Sequence, residues 1–160
     1  MAEFCPDCGA QGVAGREGCE VLFQALTGKA FSNVGWFALH RLVVDVYALQ
    51  HPDKYCRSGK SLVAHLTGVC VALEYGERKT AVNRAIQQWL SGASQPLRPD
   101  PPPPRQRGQL TIVSISQAHS LPEFHDALYT WARDVWQAWQ SLHPYAHECI
   151  QAALNQKKDG

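Results

Sequence analysis

Two thiols stand two residues apart in Cys5-Pro6-Asp7-Cys8-Gly9. At that spacing two thiolates reach one tetrahedral ion, and a glycine after the second lets the chain turn tightly enough for backbone N–H groups to face sulfur. The rival chemistry is a dithiol redox pair, which belongs between a strand and a helix in the thioredoxin manner. No strand signal precedes Cys5, so the motif favours zinc. A structural zinc ion needs four ligands, and there is no second C-x2-C. Cys19 is the best third ligand, at the start of a helical pattern. Its competing role is that of a core cysteine beside Leu22 and Phe23.

The fourth ligand must come from farther along the chain. Seven histidines are available: His40, His51, His65, His119, His125, His143 and His147. His40 and His51 are eleven residues apart and share a face with Trp36, Val43 and Tyr47 if one helix runs to Gln50. Histidines in such company are more often satisfied core residues than ligands. His51 is the better placed of the two, because a helix end is freer to turn toward another element. The candidate metal ligands are therefore Cys5, Cys8, Cys19, His51 and His40, and the ion is Zn2+. A second metal or acid–base site could also be built inside a bundle from His40, Asp45, His51, His65 and His143. His143 and His147 are spaced i, i+4, but Pro144 lies between them.

Three functions compete. In the favoured one, a closed zinc site stabilises a binding or regulatory module, and metal binding contributes folding free energy on the order of 10 kcal/mol. In the second, Cys5, Cys8 and Cys19 leave an open position on the ion, and His51 or Asp45 is the base of a hydrolase or transferase acting on a small molecule. In the third, Cys5 and Cys8 form a thiol redox centre. No serine nucleophile elbow, phosphate-cradling glycine loop or dinucleotide fingerprint is present.

The elements that must position these residues read as helices. The 160 residues are 45% hydrophobic and 18% charged, with a net charge of +1. No basic stripe is visible, so no nucleic-acid partner is expected. The longest stretch without Asp, Glu, Lys or Arg is Gly108 to Pro122. It is too short and too polar to span a bilayer. The first residues do not resemble a signal peptide, so a cytoplasmic location with six reduced cysteines is expected. A protein partner or a second copy of the chain is open.

After a loop over Met1 to Arg16, the apolar spacing predicts a helix over Glu17 to Thr27, ended by Gly28. One helix is expected over Asn33 to Gln50, apolar nearly all round and so central in a bundle, with Arg41 and Asp45 paired at i, i+4. Pro52 forbids its continuation. Further helices are expected over Ser61 to Tyr75 and Thr80 to Leu90. Ser91 to Gly108, with prolines at 96, 99 and 101–104, reads as a semi-rigid surface spacer. Leu110 to Ile115 reads as a short strand. Ser120-Leu-Pro-Glu123 is a capping box opening a long helix. That helix turns Phe124, Leu128, Trp131, Val135, Trp139 and Leu142 inward, with Trp136 widening the face. Arg133 and Asp134 read as a solvated outer pair. Pro144 interrupts, and Tyr145 to Leu154 forms a last helix.

The fold class is mostly α, a compact helical bundle with an N-terminal zinc knuckle and a Pro-rich surface linker. Residues 1–160 read as a single domain: a zinc-binding segment (1–30), a helical core (31–92), the linker (93–108) and C-terminal helices (109–155).

CPDCGA, Cys19 before Phe23, HRLVVDVYALQHP over His40 to Pro52, the His65-Leu66 pair and WARDVWQAW over Trp131 to Trp139 together resemble an uncharacterised bacterial domain-of-unknown-function family. The most specific stretch is Asp45-x-Tyr47-x-x-Gln50-His51-Pro52, and the resemblance covers most of the chain except the proline run and the tail. It implies a compact domain, draws attention to Cys5, Cys8, Cys19, His40, Gln50, His51 and Pro52, and supplies no reaction.

Overall fold

The computed structural model describes residues 3–92, 96, 99 and 102–159. Its α-helices are α1 (Gly15–Ala30), α2 (Val34–Phe37), α3 (His40–Gln50), α4 (Pro52–Tyr55), α5 (Gly59–Glu74), α6 (Lys79–Leu90), α7 (Ile112–Ser116), α8 (Leu121–Ala138) and α9 (His143–Asp159). Short 3-10 turns over Gly76–Arg78 and Gln140–Leu142 lead into α6 and α9. Among the described residues there is no strand, only an isolated bridge between Phe4 and Gln11. No described helix is long and apolar enough to cross a membrane.

The centre is the pair α3 and α5. Helix α8 packs on both, and α9 packs on α5 and α6. The reason is legible in the side chains. Leu42, Val43, Val46 and Leu49 of α3 are buried, as are Leu62, Leu66 and Val69 of α5. Burying each such side chain contributes roughly 1.5–3 kcal/mol. Trp131 and Trp139 have no exposed surface and Trp136 very little, so all three are core residues.

Several boundaries differ from those expected. Helix α1 runs past Gly28 to Ala30, burying Cys19, Phe23, Leu26 and Ala30. The helix expected over Asn33 to Gln50 is broken in two. Asn33 caps α2 by accepting from the Gly35 and Trp36 N–H groups. The ladder then tightens, with Leu39 N bonded to Trp36 O at 3.0 Å, and α3 starts afresh at His40. The apolar front end consequently leaves the core: Val34 is 88% and Phe37 55% exposed.

The expected strand at 110–115 is helix α7. Thr111 Oγ1 caps it by accepting from Val113 N–H, and Ile112 and Ile115 are buried three residues apart. A lone strand would have had no described neighbour to share its ladder. Pro144 does not interrupt α9 but sits in its first turn, where its missing N–H has no partner to lose. Of the proline run, Pro101 lies outside the described residues, as do 93–95, 97, 98 and 100.

The end of the linker is held down rather than free. Asp134 Oδ2 accepts the N–H groups of Gln109 at 2.7 Å and Leu110 at 2.8 Å, so this aspartate is an anchor and not a solvated partner of Arg133.

Candidate metal centre

Cys5 and Cys8 sit on a turn closed by two backbone hydrogen bonds, Cys5 N to Ala10 O at 2.9 Å and Gly9 N to Cys5 O at 2.8 Å. Gly9 has φ +82°, the left-handed conformation that a side chain disfavours. Cys19 lies on the buried face of α1. His51 is the residue at which α3 ends, and Pro52 at the head of α4 ensures that it ends there. These three elements bring Cys5, Cys8, Cys19 and His51 together, with all four donor atoms within 4.8 Å of one another.

The individual separations are informative. Cys8 Sγ is 3.8 Å from Cys19 Sγ, and His51 Nε2 is 3.7 Å from Cys5 Sγ and 3.6 Å from Cys19 Sγ. Tetrahedral zinc with ordinary Zn–S and Zn–N bonds holds two sulfurs about 3.8 Å apart and a sulfur and a nitrogen about 3.6 Å apart. The group could therefore hold a metal ion with little adjustment. Cys5 and Cys19 are fully buried, His51 nearly so, and Cys8 partly.

The outer contacts suit the same purpose. His51 Nδ1 lies 2.8 Å from Tyr47 O, so Nδ1 carries the proton and Nε2 presents its lone pair to the sulfurs. The Tyr47 ring stacks on His51 at 3.9 Å and on Phe23 at 4.0 Å, and its hydroxyl donates to Cys19 Sγ at 3.5 Å. Crowding three thiols splits their acidities. Cys8 donates its S–H to Cys19, and with the Tyr47 hydroxyl donating as well this holds Cys19 below the ordinary thiol range against the effect of burial. Cys8 is pushed up by the same bond and by burial, and Cys5 chiefly by burial. A divalent ion entering the group would displace the protons of Cys5 and Cys8.

His40 is not part of this group. The break before α3 leaves it beside Phe31 and stacked on Phe37, with ring centroids 5.6 and 6.2 Å away. Asp45 is also elsewhere: its Oδ1 receives His65 Nδ1–H at 2.9 Å and Arg41 lies at 3.6 Å, so the expected i, i+4 pair exists. A buried carboxylate at this position has its pKa raised by desolvation, which outweighs both partners. His143 stacks on Trp136 at 3.8 Å and bonds its carbonyl at 2.8 Å. The second site anticipated from His40, Asp45, His51, His65 and His143 is thus reduced to the Asp45–His65 pair.

The sequence drew attention to Gln50 but not to its partners, nor to two further arrangements. Gln50, fully buried, donates to Arg107 O at 2.9 Å and Leu110 O at 2.8 Å and accepts from Trp131 Nε1 at 3.1 Å. Arg107 in turn reaches Asp7 O at 3.2 Å and Gln50 O at 3.4 Å, tying the linker to the cysteine turn. The last arrangement is Cys70, Glu74 and His147, which form a second cluster of potential ligands. There Cys70 Sγ and His147 Nε2 both converge on Glu74 Oε2, at 3.1 and 2.7 Å. The shorter distance is well below the roughly 3.3 Å between a nitrogen and an oxygen on tetrahedral zinc, so this is a hydrogen-bonded carboxylate.

Beside the Cys/His group lies a cavity of about 570 Å³, whose walls include Asp7, Arg16, Glu20, Tyr47, His51 and Lys54. Four of the charges in its wall are paired, Arg16 with Asp7 at 2.8 Å and Lys54 with Glu20 at 3.2 Å, and Glu17, Asp53 and Arg57 also line it.

Comparison with known proteins adds one finding. Residues 3–140 match a family described as "Family of unknown function (DUF5946)". No curated protein and no solved structure matches the chain.

Proposed function

We propose that this chain, which belongs to the family of unknown function DUF5946, is a zinc-stabilised binding module whose zinc is structural. One observation carries the reading: three sulfurs and one imidazole nitrogen, from elements up to 46 residues apart, already stand at the spacing of a tetrahedral zinc site. Cys5, Cys8, Cys19 and His51 would hold the ion, and its role is to clamp the N-terminal turn, α1 and the end of α3 together. The small-molecule hydrolase or transferase reading needs an open coordination position, and His51 Nε2 occupies the fourth corner. Three thiolates on zinc are stable in a reducing compartment, which supports a cytoplasmic location. The clamp also fixes one wall of the 570 Å³ cavity, so recognition there depends on the metal.

Elemental analysis of the untagged protein tests this. One zinc per chain is expected, retained through gel filtration and lost with chelator, with partial loss of helical signal. Protein that carries no zinc and keeps its fold in chelator would refute it.

A further inference from the structure

The cavity of about 570 Å³ is built from two separate parts of the chain. Arg16, Glu17 and Val21 line it from α1, and Asp53, Lys54 and Arg57 line it from α4 and the residues just after it. The Cys/His group joins the same two parts. Cys5, Cys8 and Cys19 belong to the N-terminal turn and α1, and His51 to the junction of α3 and α4. On the zinc reading, on which this inference rests, the ion is the tie between the two walls.

The three thiols differ in reach. Cys5 and Cys19 have no exposed surface, whereas Cys8 is partly open to solvent, so an oxidant meets Cys8 first. Its sulfur stands 3.8 Å from that of Cys19, while Cys5 Sγ faces His51 Nε2 at 3.7 Å. A disulfide needs about 2.05 Å, and Cys8, on a partly exposed turn, can supply the remaining approach. Cys5 is the weaker partner despite its C-x2-C spacing. Its N–H and C=O are both tied, to Ala10 and Gly9, so a bond across the turn would distort a hydrogen-bonded loop. Cys56, Cys70 and Cys149 are buried and lie outside the group, so they do not compete.

We infer that Cys8 is a peroxide-oxidation site with Cys19 as its resolving thiol, and that their disulfide releases the ion and loosens the joint between the two cavity walls. The Cys8 thiolate attacks one peroxide oxygen, giving the sulfenic acid and a hydroxide. The Cys19 thiolate then attacks the Cys8 sulfur; the S–S bond forms, the S–O bond breaks and a second hydroxide leaves. Two thiolates lose two electrons, and one hydrogen peroxide is reduced to two hydroxides. The ion loses two of its four donors, and Cys5 and His51 alone do not retain it. The new bond ties the turn to α1 but leaves His51 untied. Among the contacts that remain across the joint are the Phe23–Tyr47 stack at 4.0 Å and Glu20, which takes Lys54 at 3.2 Å and the hydroxyls of Tyr47 and Tyr55. The cavity is loosened rather than dismantled.

The test treats the zinc-loaded full chain with hydrogen peroxide in the presence of a chromophoric chelator. Release of one zinc per chain is expected in step with one disulfide, mapped to Cys8 and Cys19 by mass spectrometry of an unreduced digest and reversed by dithiothreitol with added zinc. Amide exchange in α4 should accelerate several-fold in the oxidised protein while α1 keeps its protection. Cys5→Ser, which keeps the reacting pair, should form the same disulfide. Protein purified without zinc would sink the zinc reading and with it the release step; the Cys8–Cys19 bond would still be expected, because those two sulfurs stand 3.8 Å apart without the ion. A disulfide between Cys5 and Cys8, no disulfide at all, or unchanged exchange in α4 once the Cys8–Cys19 bond has formed would overturn the inference.

Discussion

His51 gives its Nδ1 proton to the carbonyl of Tyr47, one helical turn earlier at 2.8 Å, and so turns its free nitrogen toward Cys5 and Cys19. Tyr47 then returns from the other side, with its ring on the imidazole and its hydroxyl on Cys19. Replacing His51 with Ala should lower zinc affinity far more than Tyr47→Phe, which keeps the stack and loses only the bond to sulfur. Loss of one such outer contact costs about 10-fold in affinity. Competition against a chromophoric chelator measures both; equal effects would mean that Tyr47 acts on the fold and not on the sulfur.

Gln50→Leu should be among the most damaging single changes away from the cysteines. It leaves two carbonyls, of Arg107 and Leu110, and the Trp131 indole N–H without their buried partner. Orphaned buried groups cost about 1–3 kcal/mol each, less whatever water recovers, so a loss of about 3 kcal/mol is expected. Urea unfolding would show a lower midpoint at unchanged slope.

What the sequence made legible follows from the reach of each interaction. The C-x2-C turn and the helix faces depend on near neighbours, and there Cys5, Cys8, the α8 tryptophans and the Ser120 cap were readable. Cys19 and His51 were reachable only because a tetrahedral ion demands four donors. His40 misses the group because it stands at the opposite end of α3 from His51, roughly 16 Å of helical rise away, beside Phe31 and Phe37. The partners of Gln50 and Asp134 stayed hidden for another reason. A polar residue in a helix pattern does not announce a partner 60 or 81 residues away, as Gln50 has in Leu110 and Trp131. The segment at 110–115 shows a cap outvoting a weak alternation: the alternation suggested a strand, but Thr111 caps a helix and no strand among the described residues was there to pair.

Asp45 supplies a pH-dependent prediction. Burial raises its pKa in the folded protein above the unfolded value. The folded state therefore binds more protons as pH rises from the unfolded pKa to the raised one, and the carboxylate's contribution to stability falls across that window. Asp45→Asn mimics the protonated form. Relative to the variant, the native protein should lose stability as pH rises above about 4, the unfolded carboxyl's pKa. Thermal melts of the two proteins across that range check the sign; a native protein that gains on the variant with rising pH would show that His65 and Arg41 outweigh burial.

Asp134→Ala should free the end of the linker without unfolding the bundle. Two hydrogen bonds to a carboxylate are lost at a half-buried site, for a cost of about 1–3 kcal/mol. Amide exchange should accelerate at Gln109 and Leu110 while the amides of α5 keep their protection.

The grip of Arg107 on Asp7 and Gln50 joins two parts of the chain. All four donors of the Cys/His group fall between residues 5 and 51, so every donor lies in the first third of the chain and Arg107 comes from outside it. Arg107 is thus a latch laid from the later part of the chain over a cluster drawn wholly from the earlier part.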